Sequence, residues 1–170
     1  MANKIILKNV RLSFPSLFHR ASFDGKEGKF EATALLNKET QADLIAKIEA
    51  IIDEECKEAK IKRPSPDKIC LRDGEFASYD GYDGMMSLKA AGNRRPTLLN
   101  RDKTPLVEDD NVLYAGCRVN MIVDFWVQNN NFGKRVNCNL LGVQFFKDDT
   151  PFGAGDNDVT DEFDEYDEDF

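Results

Sequence analysis

Hydrophobic and polar positions alternate most cleanly over residues 112–146, VLYAGCRVNMIVDFWVQNNNFGKRVNCNLLGVQFF. Val119, Met121, Val123, Phe125 and Val127 share one side of an extended chain. Arg118, Asn120, Asp124 and Trp126 share the other, with Ile122 the only aliphatic residue among them. A period of two with one apolar side predicts a strand that lies on a core and shows its other face to water. Residues 128–134 carry Asn and Gly and predict the turn of a hairpin. The returning run sets Arg135, Asn137 and Asn139 at alternate positions before it turns apolar at Leu140, Leu141, Val143, Phe145 and Phe146.

Earlier in the chain, residues 3–14 (NKIILKNVRLSF) predict an opening strand that Pro15 breaks. Residues 16–28 read as a loop. Residues 29–36 alternate again, with Phe30, Ala32, Ala34 and Leu36 against Lys29, Glu31 and Thr33. A helix is predicted over residues 40–60. Thr40 suits its N-cap, Asp43 suits its first turn, and Leu44, Ile48, Ile51, Ile52 and Cys56 form a helical stripe. Arg63-Pro64-Ser65-Pro66 stops it. Residues 61–84 show little regular pattern. Strands follow at residues 85–91 and, briefly, 97–100, before a polar loop leads into the hairpin.

Composition fits one globular domain: 170 residues, of which 41 % are hydrophobic. No apolar run approaches the ~20 residues of a membrane span, and no signal-peptide core follows the N-terminus, so a cytoplasmic protein is expected. Four cysteines without C-x-x-C spacing and one histidine argue against a zinc site. No metal or other cofactor is expected. Charge changes the picture more. Residues 148–170 hold eight Asp, three Glu and no Lys or Arg, whereas residues 1–147 hold 23 basic and 20 acidic side chains. The overall charge of −8 therefore conceals a mildly basic body (1–147) carrying an acidic tail (148–170). The tail has too little aliphatic surface to fold and is expected to be disordered.

The candidate chemistry is binding rather than catalysis. A Trp on the polar side of a strand is either a platform on which a nucleic-acid base stacks or a sheet-edge residue partly covered by a loop. In the irregular region Lys62, Arg63, Lys68 and Arg72 are interleaved with Phe76, Tyr79 and Tyr82. Cations that neutralise phosphates, mixed with rings that stack on bases, suit a single-strand groove; a surface loop with rings tucked beneath it is the other reading. Candidate stacking groups are Trp126, Tyr79, Tyr82 and Phe132. Candidate phosphate contacts are Lys62, Arg63, Arg72, Lys89, Arg94, Arg95, Arg118, Lys134 and Arg135. Asp67, Asp73, Glu75, Asp80 and Asp83 could instead hold a metal for phosphodiester hydrolysis, although they lack motif spacing. In the tail, Phe163, Tyr166 and the terminal Phe170 stand among carboxylates and suit docking into a basic pocket of a partner.

Several ordered pieces of the chain, namely RLSFPSLF (11–18), LRDGE (71–75), GYDGMMSLKA (81–90), RRP (94–96), YAGCRVNM (114–121) and LGVQFFKDDTPFG (141–153), resemble a phage-encoded family of single-stranded-DNA-binding proteins, once catalogued as a domain of unknown function. The resemblance spans nearly the whole length. It implies a mainly β, OB-fold-like barrel with one packed helix, sequence-tolerant binding of single-stranded DNA, and a role in phage replication or recombination inside a bacterial host cell. It also implies replication or recombination proteins as partners of the tail. Asp169 precedes the final Phe, where bacterial housekeeping relatives have Pro, so the tail engages either host partners or the phage's own. A monomer or weak dimer is expected. The competing classes are an RNA-binding OB module and a metal-dependent nuclease.

Overall fold

A computed structural model of the chain describes residues 4–152 apart from residues 24, 78 and 80. In chain order it contains β1 (Ile5–Ser16), β2 (Ser22–Phe23), β3 (Lys26–Glu27), β4 (Phe30–Asn37), α1 (Ala42–Glu58), β5 (Leu71–Asp73), β6 (Met85–Gly92), β7 (Thr97–Leu99), β8 (Arg118–Asn130) and β9 (Gly133–Lys147). Short 3₁₀ turns lie at Pro66–Lys68, Gly74–Phe76 and Glu108–Asp110.

The main sheet runs β5-β6-β4-β1-β8-β9-β7. A parallel bridge between Ala91 of β6 and Asn139 of β9 brings the two ends of the β6-β4-β1-β8-β9 run together, which closes a five-stranded OB-like barrel. Bulges allow the curvature. β8 and β9 shift register between Ile122 and Val123, and β1 shifts between Leu7 and Val10. Alternation along β8 falls as predicted: Val119, Met121, Val123 and Phe125 are buried, while Trp126 is exposed. Each fully buried aliphatic side chain there contributes roughly 1.5–3 kcal/mol. β2 and β3 form a separate two-stranded ribbon.

Three local boundaries differ from expectation. Pro15 does not end β1; the strand continues to Ser16 through a register irregularity between Ser13 and Ser16, a place where a missing N–H is tolerated. Thr40 is not the helix cap. The Asn37 side chain accepts from the N–H groups of Glu39 and Thr40, tightening the turn so that α1 starts after Gln41. The helix stops at Glu58 rather than residue 60. Lys60 adopts φ +56°, and the Ile61 N–H donates to the Cys56 carbonyl, a Schellman arrangement that drops Ile61 onto the core. Ile48, Ile52 and Cys56 bury against the barrel beside β8.

Candidate nucleic-acid interface

The outer face of the barrel carries an open groove of about 1360 Å³. Its floor follows from strand parity. Glu31 and Thr33 of β4, Ser87, Lys89 and Ala91 of β6, and Arg135, Asn137 and Asn139 of β9 are the outward members of strands whose alternate residues fill the core. Trp126 and Gln128 of β8 line one side; Trp126 pairs across the hairpin with Asn137. The run over residues 63–73 and the loop that follows also contribute, with Ile69 bridged to Val136 of β9 and β5 paired with β6.

At one end stands an aromatic corner. Phe14 packs edge-on to Tyr79, with ring centres 4.8 Å apart, and Tyr79 lies 5.3 Å from Tyr82. Phe14, Phe76, Tyr79 and Trp126 all expose ring surface, Trp126 the least at 39 %. Tyr82 corrects an expectation. Its ring is only 4 % exposed, and its hydroxyl shares a 2.8 Å hydrogen bond with Ser13 behind it. Burial pushes its phenol pKa up. A buried hydroxyl needs a partner, so Tyr82 goes inward as an anchor and presents no open face to a base.

The candidate cations divide. Arg72, Lys89 and Arg135 line the groove. The Arg72 guanidinium donates to the carbonyls of Ile69 and Asp67, while Lys89 sits 3.5 Å from Glu31 with most of its side chain in solvent. Arg63 also lines the groove, but its charge is engaged by Glu49 and Asp53 of α1 at 2.9 and 2.7 Å. Arg118 lies outside the groove, held by Asp149 at 2.9 Å and by the Asn9 carbonyl. Arg95 donates to the Phe18 carbonyl. Lys62, Arg94 and Lys134 are exposed but do not line the groove, and Phe132 sits at the hairpin tip, 89 % exposed.

Sequence reasoning missed Phe14 and Lys29 and selected neither Phe76 nor Lys68 as a contact; all four line the groove. Phe14 has the sequence parity of Leu12 and belongs on the core side of a regular strand. Its φ of +45° at the irregularity before Pro15 turns the ring outward instead. Such a backbone state is uncommon for a bulky residue and marks a position worth reading for function. Lys68 and Arg135 both help to hold the Asp67 carboxyl below its ordinary value, after the larger effect of the Ser65 hydroxyl.

Among the described residues no group of three or more His, Cys, Asp or Glu side chains is placed to hold an ion. Asp73 and Glu75 instead engage Lys38 at 2.7 and 3.3 Å; Asp80 lies outside the described residues. No helix among the described residues is long and apolar enough to cross a membrane.

A family profile described as "Enterobacter phage Enc34, ssDNA-binding protein" matches residues 3–170. The chain belongs to this Enc34 family. It is 39 % identical to putative protein p50 of Acyrthosiphon pisum secondary endosymbiont phage 1, over 95 % of this chain and 93 % of that one. Among solved structures, it matches the single-stranded DNA-binding protein from bacteriophage Enc34 in complex with ssDNA at TM-score 0.80 and 33 % identity, covering 88 % of this chain and 89 % of that one. A second structure of the single-stranded DNA-binding protein from bacteriophage Enc34 matches at TM-score 0.79 and 32 % identity, covering 95 % and 90 % of the two chains. The fold alone extends to gp2.5, a single-stranded DNA binding protein encoded by bacteriophage T7, at TM-score 0.58, 14 % identity and 97 % coverage of both chains. The profile describes the Enc34 family as one of ssDNA-binding proteins, and the groove here is lined by aromatic rings and cationic side chains.

The segment expected to leave the body at Asp148 keeps its contacts with the body as far as Phe152. Residues 148–152 are tied down: Tyr114 donates to Asp148 at 2.8 Å, and Arg11 donates to the Thr150 carbonyl. Burial pushes the Asp149 carboxyl up, but the Thr150 N–H, Arg118 and Arg11 outweigh it and hold that group below its ordinary value. Phe163, Tyr166 and Phe170 lie outside the described residues.

Proposed function

We propose that this chain binds single-stranded DNA stoichiometrically and with little regard to sequence, along the groove on the barrel's outer face, in phage replication or recombination within the host cytoplasm. The observation that carries this is the convergence of Trp126, Tyr79, Phe14 and Phe76 with Lys29, Lys68, Arg72, Lys89 and Arg135 in one open groove. Rings without a closed pocket stack on any base, and cations beside them track the backbone. Membership of the Enc34 family and the likeness to the Enc34 protein in complex with ssDNA support the reading. We assign no contact to Tyr82, Phe132, Lys62, Arg63, Arg94, Arg95, Arg118 or Lys134, because each is buried, engaged elsewhere or outside the groove.

The acidic segment has two candidate roles: competing with DNA for the groove, or docking replication or recombination proteins through Phe163, Tyr166 and Phe170. A gel shift of single- against double-stranded DNA across a salt series tests the main proposal. Preferential retardation of single strands that weakens with salt supports it; equal or absent retardation overturns it. Single-stranded RNA of equal length, run alongside, tests the RNA-binding alternative, since the 2′-hydroxyl is the handle for that choice.

A further inference from the structure

The five residues beyond β9 reach the loop that carries Tyr79 and Tyr82 through Phe152 and Gly81. Asp149 accepts from Arg118 at 2.9 Å and lies 3.8 Å from Arg11. The Phe152 N–H donates to the Ala115 carbonyl at 3.1 Å. The Arg11 guanidinium lies over the Phe152 ring, 4.2 Å from its centre, within the range of a cation–π contact. The ring also abuts Gly81, where a Cβ would stand 2.3 Å from a ring carbon. A second glycine shapes the same seat: a Cβ on Gly116 would meet the Thr150 carbonyl oxygen at 2.4 Å and the Pro151 Cα at 2.8 Å. Both glycines have positive φ, +82° and +112°, so the backbone and the missing side chains together hold the socket open. Gly81 sits between Tyr79 and Tyr82 in sequence, on the loop that presents Tyr79 to the groove.

We propose that Phe152 is a positioning residue for Tyr79. Residues 148–152 brace the loop at Gly81, with Arg11 and Arg118 holding the brace and Phe152 pressing on that glycine. The root of the acidic segment is then part of the binding surface rather than part of a detachable competitor. This rests on Tyr79 acting as a stacking group.

The test is an anisotropy titration of a labelled oligo-dT with the full chain and its variants, each paired with a thermal melt. Phe152→Ala and Gly81→Ala should each weaken binding about 3- to 10-fold, a fraction of what one stacked ring supplies. Gly84→Ala is the control. It lies in the same loop with φ +72° but has open space around the added Cβ, so it carries the backbone strain without the collision and should leave affinity within about twofold. In a Tyr79→Ala background, Phe152→Ala should add no further loss; a merely structural role would lower the melting point and cost affinity equally in both backgrounds. Unchanged affinity in Phe152→Ala, an equal loss in both backgrounds, or tighter binding (the mark of a segment that occludes the groove) overturns the brace. If Phe152→Ala is unfolded at the assay temperature, Gly81→Ala read against Gly84→Ala decides. A wild-type chain that fails to bind overturns the groove itself, whereas a binding wild type with an indifferent Phe152→Ala overturns the brace alone.

Discussion

Trp126 and Phe14 expose rings to the same groove for different reasons. Trp126 is outward because strand parity puts it there, so its removal leaves the core intact. Trp126→Ala should weaken single-strand binding about 5- to 150-fold, the equivalent of ~1–3 kcal/mol per stacked ring, with little change in melting point; fluorescence-labelled DNA titration and a thermal melt check both halves. Phe14 is outward because its backbone is in the left-handed region, at a cost of roughly 1–2 kcal/mol. Glycine adopts that state freely. Phe14→Gly relieves the strain but loses the ring pair with Tyr79, worth ~0.5–1.5 kcal/mol. Stability in a urea melt should therefore move by about 1 kcal/mol or less, while DNA affinity falls several-fold. A large loss of stability would show that Phe14 serves packing instead.

At the scale of elements, the run that lines the groove after α1 is irregular apart from the short strand β5, and side chains help to hold it. Asp73 ends β5, accepts from the Glu75 N–H and receives Lys38 at 2.7 Å, so it caps the 3₁₀ turn that carries Phe76. The Lys38 hydrogen bond first, then the Glu75 N–H, hold the Asp73 carboxyl below its ordinary value of 3.8. A depressed carboxyl pKa stabilises the fold above the unfolded-state value, about 3.9, and that contribution is lost as pH falls through the lower folded value. Acidification below about pH 4 should therefore free this turn. Amide exchange at Gly74–Phe76 should accelerate relative to β8, and Asp73→Asn should show the faster exchange already at neutral pH. Arg63, 14 residues beyond Glu49 and 10 beyond Asp53, fastens the start of the same run to α1.

For the whole molecule, the balance of charge decides how the groove meets DNA. Residues 153–170 contain six Asp and three Glu with no basic residue, so removing them takes the formal charge from −8 to +1. A chain ending at Phe152 keeps the brace and loses only this anionic stretch. If the stretch competes for the groove, that chain should bind single strands more tightly and with a steeper dependence on salt; equilibrium titrations at several ionic strengths measure both. Unchanged affinity and slope would exclude self-competition and leave partner docking. Truncation at Lys147 would confound the two effects, because it also removes Asp149 and Phe152 from their contacts with Arg118 and Arg11.

Alternation along single strands was sufficient to predict the core face of β8, the outward aim of Trp126, and the outward positions of Arg135, Asn137 and Asn139, because a period of two is a local property of extended backbone. The stripe of α1 was legible for the same kind of reason. The loop residues were not. Tyr79 and Tyr82 stand three apart in a segment without periodicity, and the Ser13 hydroxyl, brought across from β1, partners the ring that goes inward while the other stays out. Arg118 has the parity of a groove residue, yet its charge goes to Asp149, 31 residues later in the chain. Phe14 has the parity of a core residue, yet a bulge reverses it. The sequence by itself thus determined which strand faces are apolar and where charge of each sign accumulates. The closing of the barrel decided which of those exposed rings and cations share one groove, because that depends on contacts between residues far apart along the chain.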